Sequence, residues 1–491
     1  MSTTATRPSQ NRIENLDPAD WNEFRETSHA ALDLMIEHLR SIRARPVWQP
    51  TSRDVLARLE APLPKAGRGM AEVIEDFDEL IKPYATGNLH PAFMGWVHGA
   101  GTPAGMVADM LAAGLNMNCG GRNHSGIEVE KQITRWMKEA FGFPDAASGL
   151  FVTGTSMANF LGLIVARNVA LGQDVRGKGL AGAPQLCAYA SDAVHGCISR
   201  AMQMSGIGSN FLRLVECDGT GAMRVHVLQS LIEQDRANGL KPFLVVGTAG
   251  SVDTGAVDPL QAIADVAAAN GLWFHVDGAF GALAVLSSQL APLITGIERA
   301  DSIGFDFHKW AHVPYDAGYL LVRDGEAHKQ AFAAANAYLM RADAGLAAGE
   351  VWPCDLGPDL SRGFRALKVW FTLQHFGADA LAGCMEQNCR AAKYLEQRLR
   401  SSGTYSPAAP VKLNIVCFTV NSNNPGPDNR KIVEALHVSG RAAPSITMLN
   451  GKPVIRCAIV NHRTTLSDID RFITDLADTA RELSIETWAP C

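Results

Sequence analysis

The chain has 491 residues, a formal net charge of −6, 47% hydrophobic residues and 19% charged residues. That length is too great for one small core and points to two or three lobes, while the composition excludes a disordered chain. The mildly acidic balance gives no electrostatic reason to expect nucleic acid or an anionic membrane as a partner.

Ten cysteines are scattered along the chain with no CxxC pair. They read as thiols in a reducing compartment rather than as a disulfide framework, and no metal site is expected. The opening MSTTATRPSQNRIENLDPADW is polar and lacks the apolar core of a secretory signal. No run approaches the roughly 20 apolar residues of a membrane span. These features predict a soluble, cytoplasmic protein.

From Asp17 the pattern turns helical. Asp17-Pro18 reads as an N-cap with proline at the first helical position, and Phe24, Leu32, Met35, Ile36 and Leu39 follow at helical spacing. Pro46, Pro50, Pro62 and Pro64 break the region up to about Tyr84 into short pieces. Such a segment cannot bury its own apolar face, which predicts packing on another surface, a second subunit being one candidate. From about Gly149 to Arg323, short apolar runs alternate with helical stretches. QLCAYAS, NFLRLVEC, KPFLVVGTAGS, LWFHVDGAFG, DSIGFDFHKW and AGYLLVRD read as strands; AVHGCISRAMQM, RVHVLQSLIEQDRANG and PLQAIADVAAANG read as helices. This alternation predicts a mostly parallel sheet covered on both faces, with ligands beyond the carboxyl ends of its strands. After about residue 376, a helix around MEQNCRAAKYLEQRLRS, two strand-like segments and a final helix from about Leu466 to Leu483, with Ser467 as a possible cap, form a smaller α+β lobe.

Four segments carry chemistry. In HVDGAFG a buried strand ends at Asp277, and buried carboxylates need a cationic partner; taken alone, a turn aspartate explains it as well. In DFHKW, Lys309 stands between His308 and Trp310, where partial desolvation lowers an amine's pKa and makes it a Schiff-base nucleophile. A surface lysine at a strand end is the plainer alternative. In LFVTGTSMANF, Gly154, Thr155 and Ser156 open a helix whose free N–H groups and hydroxyls suit a phosphate, although Ser and Thr are also ordinary caps. In SDAVHGC, His195 follows a strand at a helix start, where it can stack on a planar ring or simply pack. Together the four supply a phosphate cradle, a ring stacker, an acid for a ring nitrogen and an amine, which is what pyridoxal 5′-phosphate (PLP) needs.

With these motifs the chain resembles the group II PLP-dependent amino-acid decarboxylases, from about Asn88 to Arg463. HPAFMGWV, HSGIEVE, GFRALKVWF and IRCAIVNHRTT match further landmarks of that family. The resemblance implies an α/β fold of type I, aspartate-aminotransferase-like. It comprises a helical N-terminal segment (1–84), a large PLP-binding domain with a mostly parallel sheet (85–375) and a small α+β C-terminal domain (376–491). It implies that Lys309 carries the cofactor, Asp277 pairs with the pyridine nitrogen, His195 stacks on the ring and Ala279 lies beneath it. Thr155 and Ser156 are implied to hold the phosphate, with His308 nearby.

The resemblance also implies a Cα proton donor on a loop after the lysine, for which Tyr338, in the Tyr338-Leu339 pair, is the candidate. The Ala/Gly-rich RADAGLAAGEVWPCDL that follows is expected to be mobile. An aromatic L-amino acid is the first-choice substrate by resemblance, with Phe93, Trp96 and His98 as candidate pocket residues and space nearby at Gly120-Gly121. The expected product is the amine and CO2. Open alternatives are an aldehyde formed with O2, another fold type I reaction such as transamination with Arg456 clamping the carboxylate, and a non-catalytic PLP binder. A homodimer with the active site at its interface is expected.

Overall fold

The structure, a computed structural model, describes residues 15–334 and 340–488. Among the described residues, 15–45 and 50–85 form one unit, and 46–49 with those from 86 to 488 a second. The first contains α1 (Trp21–Arg40), α2 (Arg53–Leu59) and α3 (Met70–Asp76). Asp20 caps α1, accepting the N–H groups of Asn22 and Glu23. The cap thus falls three residues after the expected Asp17-Pro18. Asp76 pairs with Arg58 at 2.7 Å and also with Arg68.

The second unit runs through α4 (Pro103–Leu115), α5 (Ser125–Phe141), β1 (Ser148–Val152), α6 (Thr155–Leu171), α7 (Val175–Lys178), β2 (Leu186–Ser191) and α8 (Cys197–Met204). Then come β3 (Leu212–Val215), α9 (Val225–Ala237), β4 (Lys241–Thr248), α10 (Leu260–Asn270), β5 (Trp273–Asp277), β6 (Ser302–Asp306), β7 (Gly318–Val322) and α11 (Gly325–Phe332). The strands form one seven-stranded sheet in the order β1-β7-β6-β5-β4-β2-β3. β2, β6 and β7 are buried along their whole length, which explains why they read as continuous apolar runs: helices cover both faces.

Pairings from β3 through β6 are parallel, whereas β7 is antiparallel to both β6 and β1. The reason is length. The link from β6 to β7 carries no helix, and without a crossover the chain can only turn back on itself. At the end of β1, Arg362 donates to the carbonyls of Phe151 and Cys119 and pairs with buried Glu130 at 3.1 Å. That bond set fixes the strand end that leads into α6.

The chain continues with α12 (Arg365–Ser402), β8 (Tyr405–Pro407), β9 (Ile415–Val420), α13 (Pro425–Val438), β10 (Ser445–Leu449), β11 (Lys452–Ala458) and α14 (Leu466–Glu482). Gly377, at φ 78°, breaks α12 into two helices. The four strands form an antiparallel sheet ordered β10-β11-β9-β8, with a core of its own in which Phe418, Ile455 and Phe472 are buried. Thr465 caps α14 in a reciprocal box with Asp468, so the expected cap, Ser467, lies inside the helix. No helix among the described residues is long and apolar enough to cross a membrane.

Candidate active site

A cavity of about 390 Å³ opens at the carboxyl ends of the parallel strands, where a sheet of this kind binds ligands. Thr155, Ser156, His195, Asp277, Ala279, His308 and Lys309 all line it. Seven residues named from the sequence are therefore brought into one place. The eighth, Tyr338, lies outside the described residues.

Asp277 is the last residue of β5 and is 3% exposed. Burial pushes its carboxyl up, opposed first by Lys309 and then by His195. The Ala279 N–H donates to it at 3.2 Å. His195 sits at the exposed rim, its Nδ1 accepting the Cys197 N–H at 3.3 Å. His308 accepts the Ala317 N–H on Nδ1 at 3.0 Å, so its ring proton is on Nε2. Burial holds that imidazole below its usual pKa, and Asp306 pulls the other way.

Sequence reasoning missed Asp306. It ends β6, is 2% exposed, accepts the Thr155 N–H at 2.7 Å and lies 3.1 Å from Lys309 Nζ. Its signal was the same as that of Asp277, an acid closing a buried strand. Tyr315 was missed too; it lines the cavity with its ring 4.3 Å from that of His308.

Trp96 and His98 line the cavity, while Phe93 is buried behind them, its ring 5.8 Å from His98. Gly120 and Gly121 are not part of the lining: a Cβ there would run into the Leu360 carbonyl and the Trp352 ring. Arg456 is not in the cavity lining; its Nη1 donates to the Gly95 carbonyl at 2.6 Å and to Ser445 Oγ at 3.2 Å, while its Nε and Nη2 are buried with no hydrogen-bond partner among the described residues. In the segment expected to be mobile, the burial begins at Trp352. Trp352 is buried with the Arg341 guanidinium 3.5 Å and that of Arg122 4.6 Å from its ring, and Arg341 pairs with Asp355 at 2.5 Å.

These residues fit PLP. Thr155 Oγ1 is buried at the start of α6 with no hydrogen-bond partner among the described residues, an orphan that a phosphate oxygen would satisfy. Gly154 beside it has no side chain to fill the cradle: a Cβ would point at His308 and Asp306, 3.7 and 3.8 Å away. Across the cavity, Asp277 is a buried carboxylate in want of a cation, and Lys309 offers an amine.

The architecture is that of fold type I PLP enzymes, and comparison with known proteins narrows it. Residues 53–421 match the pyridoxal-dependent decarboxylase conserved domain. The chain is 32% identical over 478 residues to aromatic-L-amino-acid decarboxylase of Bacillus atrophaeus, covering 96% of this chain and 97% of that protein. It is 28% identical to phenylacetaldehyde synthase of Arabidopsis thaliana, covering 90% and 93%. The crystal structure of Oryza sativa TDC with PLP and tryptamine shares the fold at a TM-score of 0.88 and 24% identity, covering 96% of this chain and 100% of that one. The chain belongs to the pyridoxal-dependent decarboxylase family. It is a carboxy-lyase acting on an amino acid, with PLP as its cofactor.

The buried histidines around this sheet carry a pH prediction. Burial pushes His275 down to about 3 and His328 down to about 4. The unfolded chain protonates both below its ordinary value of 6.5 while the folded chain does not, so stability is full above pH 6.5 and falls as pH drops toward 4. Each contributes at most about 1.4 kcal/mol per pH unit. Asp258, raised by burial to about 6, acts oppositely, but only below pH 6. The urea midpoint is expected to be lower at pH 5.5 than at pH 7; a flat profile would contradict it.

Proposed function

We propose that the chain removes the α-carboxylate of an aromatic L-amino acid, yielding the amine and CO2. The observation that carries this reading is one cavity holding the Lys309 amine, the buried Asp277 carboxylate and an aromatic wall of Trp96 and His98. The Bacillus atrophaeus relative, named for aromatic L-amino acids, supports the substrate class.

Bound there, PLP supplies an electron sink for the pair left at Cα when CO2 departs. Lys309 would be the amine that holds the cofactor's aldehyde carbon. Asp277 holds a proton at the ring nitrogen, which keeps the ring an effective acceptor. His195 would cover one face of the ring, and the small Ala279 would leave room on the other. Thr155 and Ser156 would hold the phosphate with their hydroxyls, and His308, which lines the same cavity with Nε2 3.6 Å from Asp306, would stand near it. Tyr338 is our proposed donor of the Cα proton. We also propose that residues 1–84, 85–375 and 376–491 form the N-terminal segment, the large domain and the small domain, and that the protein is cytoplasmic.

A homodimer completing the site is part of this reading. Light scattering should report two chains per particle, and a stable monomer would refute it. The activity is tested by incubating purified protein and PLP in air with mixed L-amino acids and identifying products by mass spectrometry. An aromatic amine, lighter than its parent by CO2, is expected. An aldehyde with peroxide would replace the amine reading, and no turnover of any amino acid would overturn decarboxylation itself.

A further inference from the structure

We propose that Trp273, Ser302, His275 and Asn159 form a one-way hydrogen-bond relay that turns the Asn159 amide so that its NH2 faces Asp277. Asn159 is then a positioning residue for the carboxylate that holds the ring-nitrogen proton, an inference that rests on the role given to Asp277 above.

The direction follows from donor chemistry. The Trp273 indole N–H can only donate, and it lies 2.8 Å from Ser302 Oγ. The Ser302 hydroxyl hydrogen then points away from the indole, and in the relay it is donated to His275 Nδ1, 2.7 Å away. His275 is 1% exposed and held neutral by burial, so an Nδ1 that accepts leaves the ring proton on Nε2. Nε2 lies 2.8 Å from Asn159 Oδ1, which must accept. The Asn159 NH2 is thereby directed to the other side, where it donates to Cys197 Sγ at 3.3 Å and helps hold Asp277 in its charged form.

The carboxylate end sets the direction: with the Asn159 NH2 turned to the Cys197 and Asp277 side, its Oδ1 is left to accept from His275 Nε2, and the Trp273 donor at the far end is compatible with that order. Two glycines make the room. A Cβ on Gly304 would lie 2.5 Å from Asn159 Oδ1, and one on Gly162 would lie 3.1 Å from the His275 ring. Ser302 and Asn159 are fully buried, so no water competes for the bonds. Aligned dipoles in such a place oppose the burial that disfavours the Asp277 charge.

The first test needs neither cofactor nor variant. Ring-15N histidine spectra of the apoprotein should show His275 protonated on Nε2 and bare on Nδ1 from pH 8 to pH 5; protonation on Nδ1 would overturn the relay. The second uses Ser302→Ala and Ser302→Thr in the holoenzyme. Loss of one net hydrogen bond's orientation predicts roughly a tenfold fall in kcat for Ser302→Ala with KM changed little, while Ser302→Thr restores most of it. A Ser302→Ala enzyme with unchanged kcat would overturn the proposal. Wild-type protein that neither binds PLP nor turns over any amino acid would instead refute the decarboxylase reading, and the tautomer result would stand apart from it.

Discussion

Lys309→Ala protein is expected to lose turnover by about 10⁴-fold or more and to lose the visible absorbance of lysine-bound cofactor. Both follow from the two jobs proposed for one amine: Lys309 would hold the cofactor's aldehyde carbon and would be needed again for product release. The fold should survive, because the Lys309 side chain is 23% exposed and its ion-pair partner Asp306 keeps the Thr155 N–H at 2.7 Å. Cofactor should still bind, through Thr155, Ser156 and Asp277, but non-covalently, so that dialysis removes it. Stopped assays on dialysed and PLP-supplemented variant separate the two effects. Full activity in the variant would remove Lys309, and with it the whole assignment of the cavity.

Asp277→Asn is expected to lower kcat by about 10² to 10³-fold, the size seen when a preorganised charge partner of the reacting system is removed. The amide has the same shape and can still accept the Ala279 N–H, so packing at this buried position is conserved. What it lacks is charge. An amide cannot hold a proton at a pyridine nitrogen, and a neutral ring is a poor home for the electrons left at Cα. The loss should therefore appear in kcat far more than in KM. A variant within threefold of wild type in kcat would show that the ring nitrogen is not served by Asp277.

The strand–helix alternation was legible because buried parallel strands are short, apolar and widely spaced by helices. All six segments from QLCAYAS to AGYLLVRD hold strands of the one sheet. β1 was less visible, since SGLFV runs directly into the TGTS helix start. The reversal at β7 was hidden too, because direction depends on the connection rather than on the strand's residues. Caps slipped by two or three residues at Asp20 and Thr465, where neighbouring residues offered equally good oxygens.

At the site, residues closing strands could be found, but partners distant in sequence could not. Asp306 reaches Thr155 from 151 positions away, and Asn159 reaches His275 from 116. Within RADAGLAAGEVWPCDL, composition averages over residues and does not single out Trp352, whose buried indole lies between two guanidinium groups.

β1 stands at the edge of the large sheet and bonds to β7, which ends at Val322. A ribosome adding about 5–20 residues per second needs roughly 10 to 30 s to make the intervening chain. For that interval Leu150, Phe151 and Val152, all buried in the finished protein, have no strand to pair with. The emerging polypeptide therefore displays an unpaired, sticky edge during synthesis, and holding it apart from other nascent chains is a task for chaperones rather than for the sequence itself.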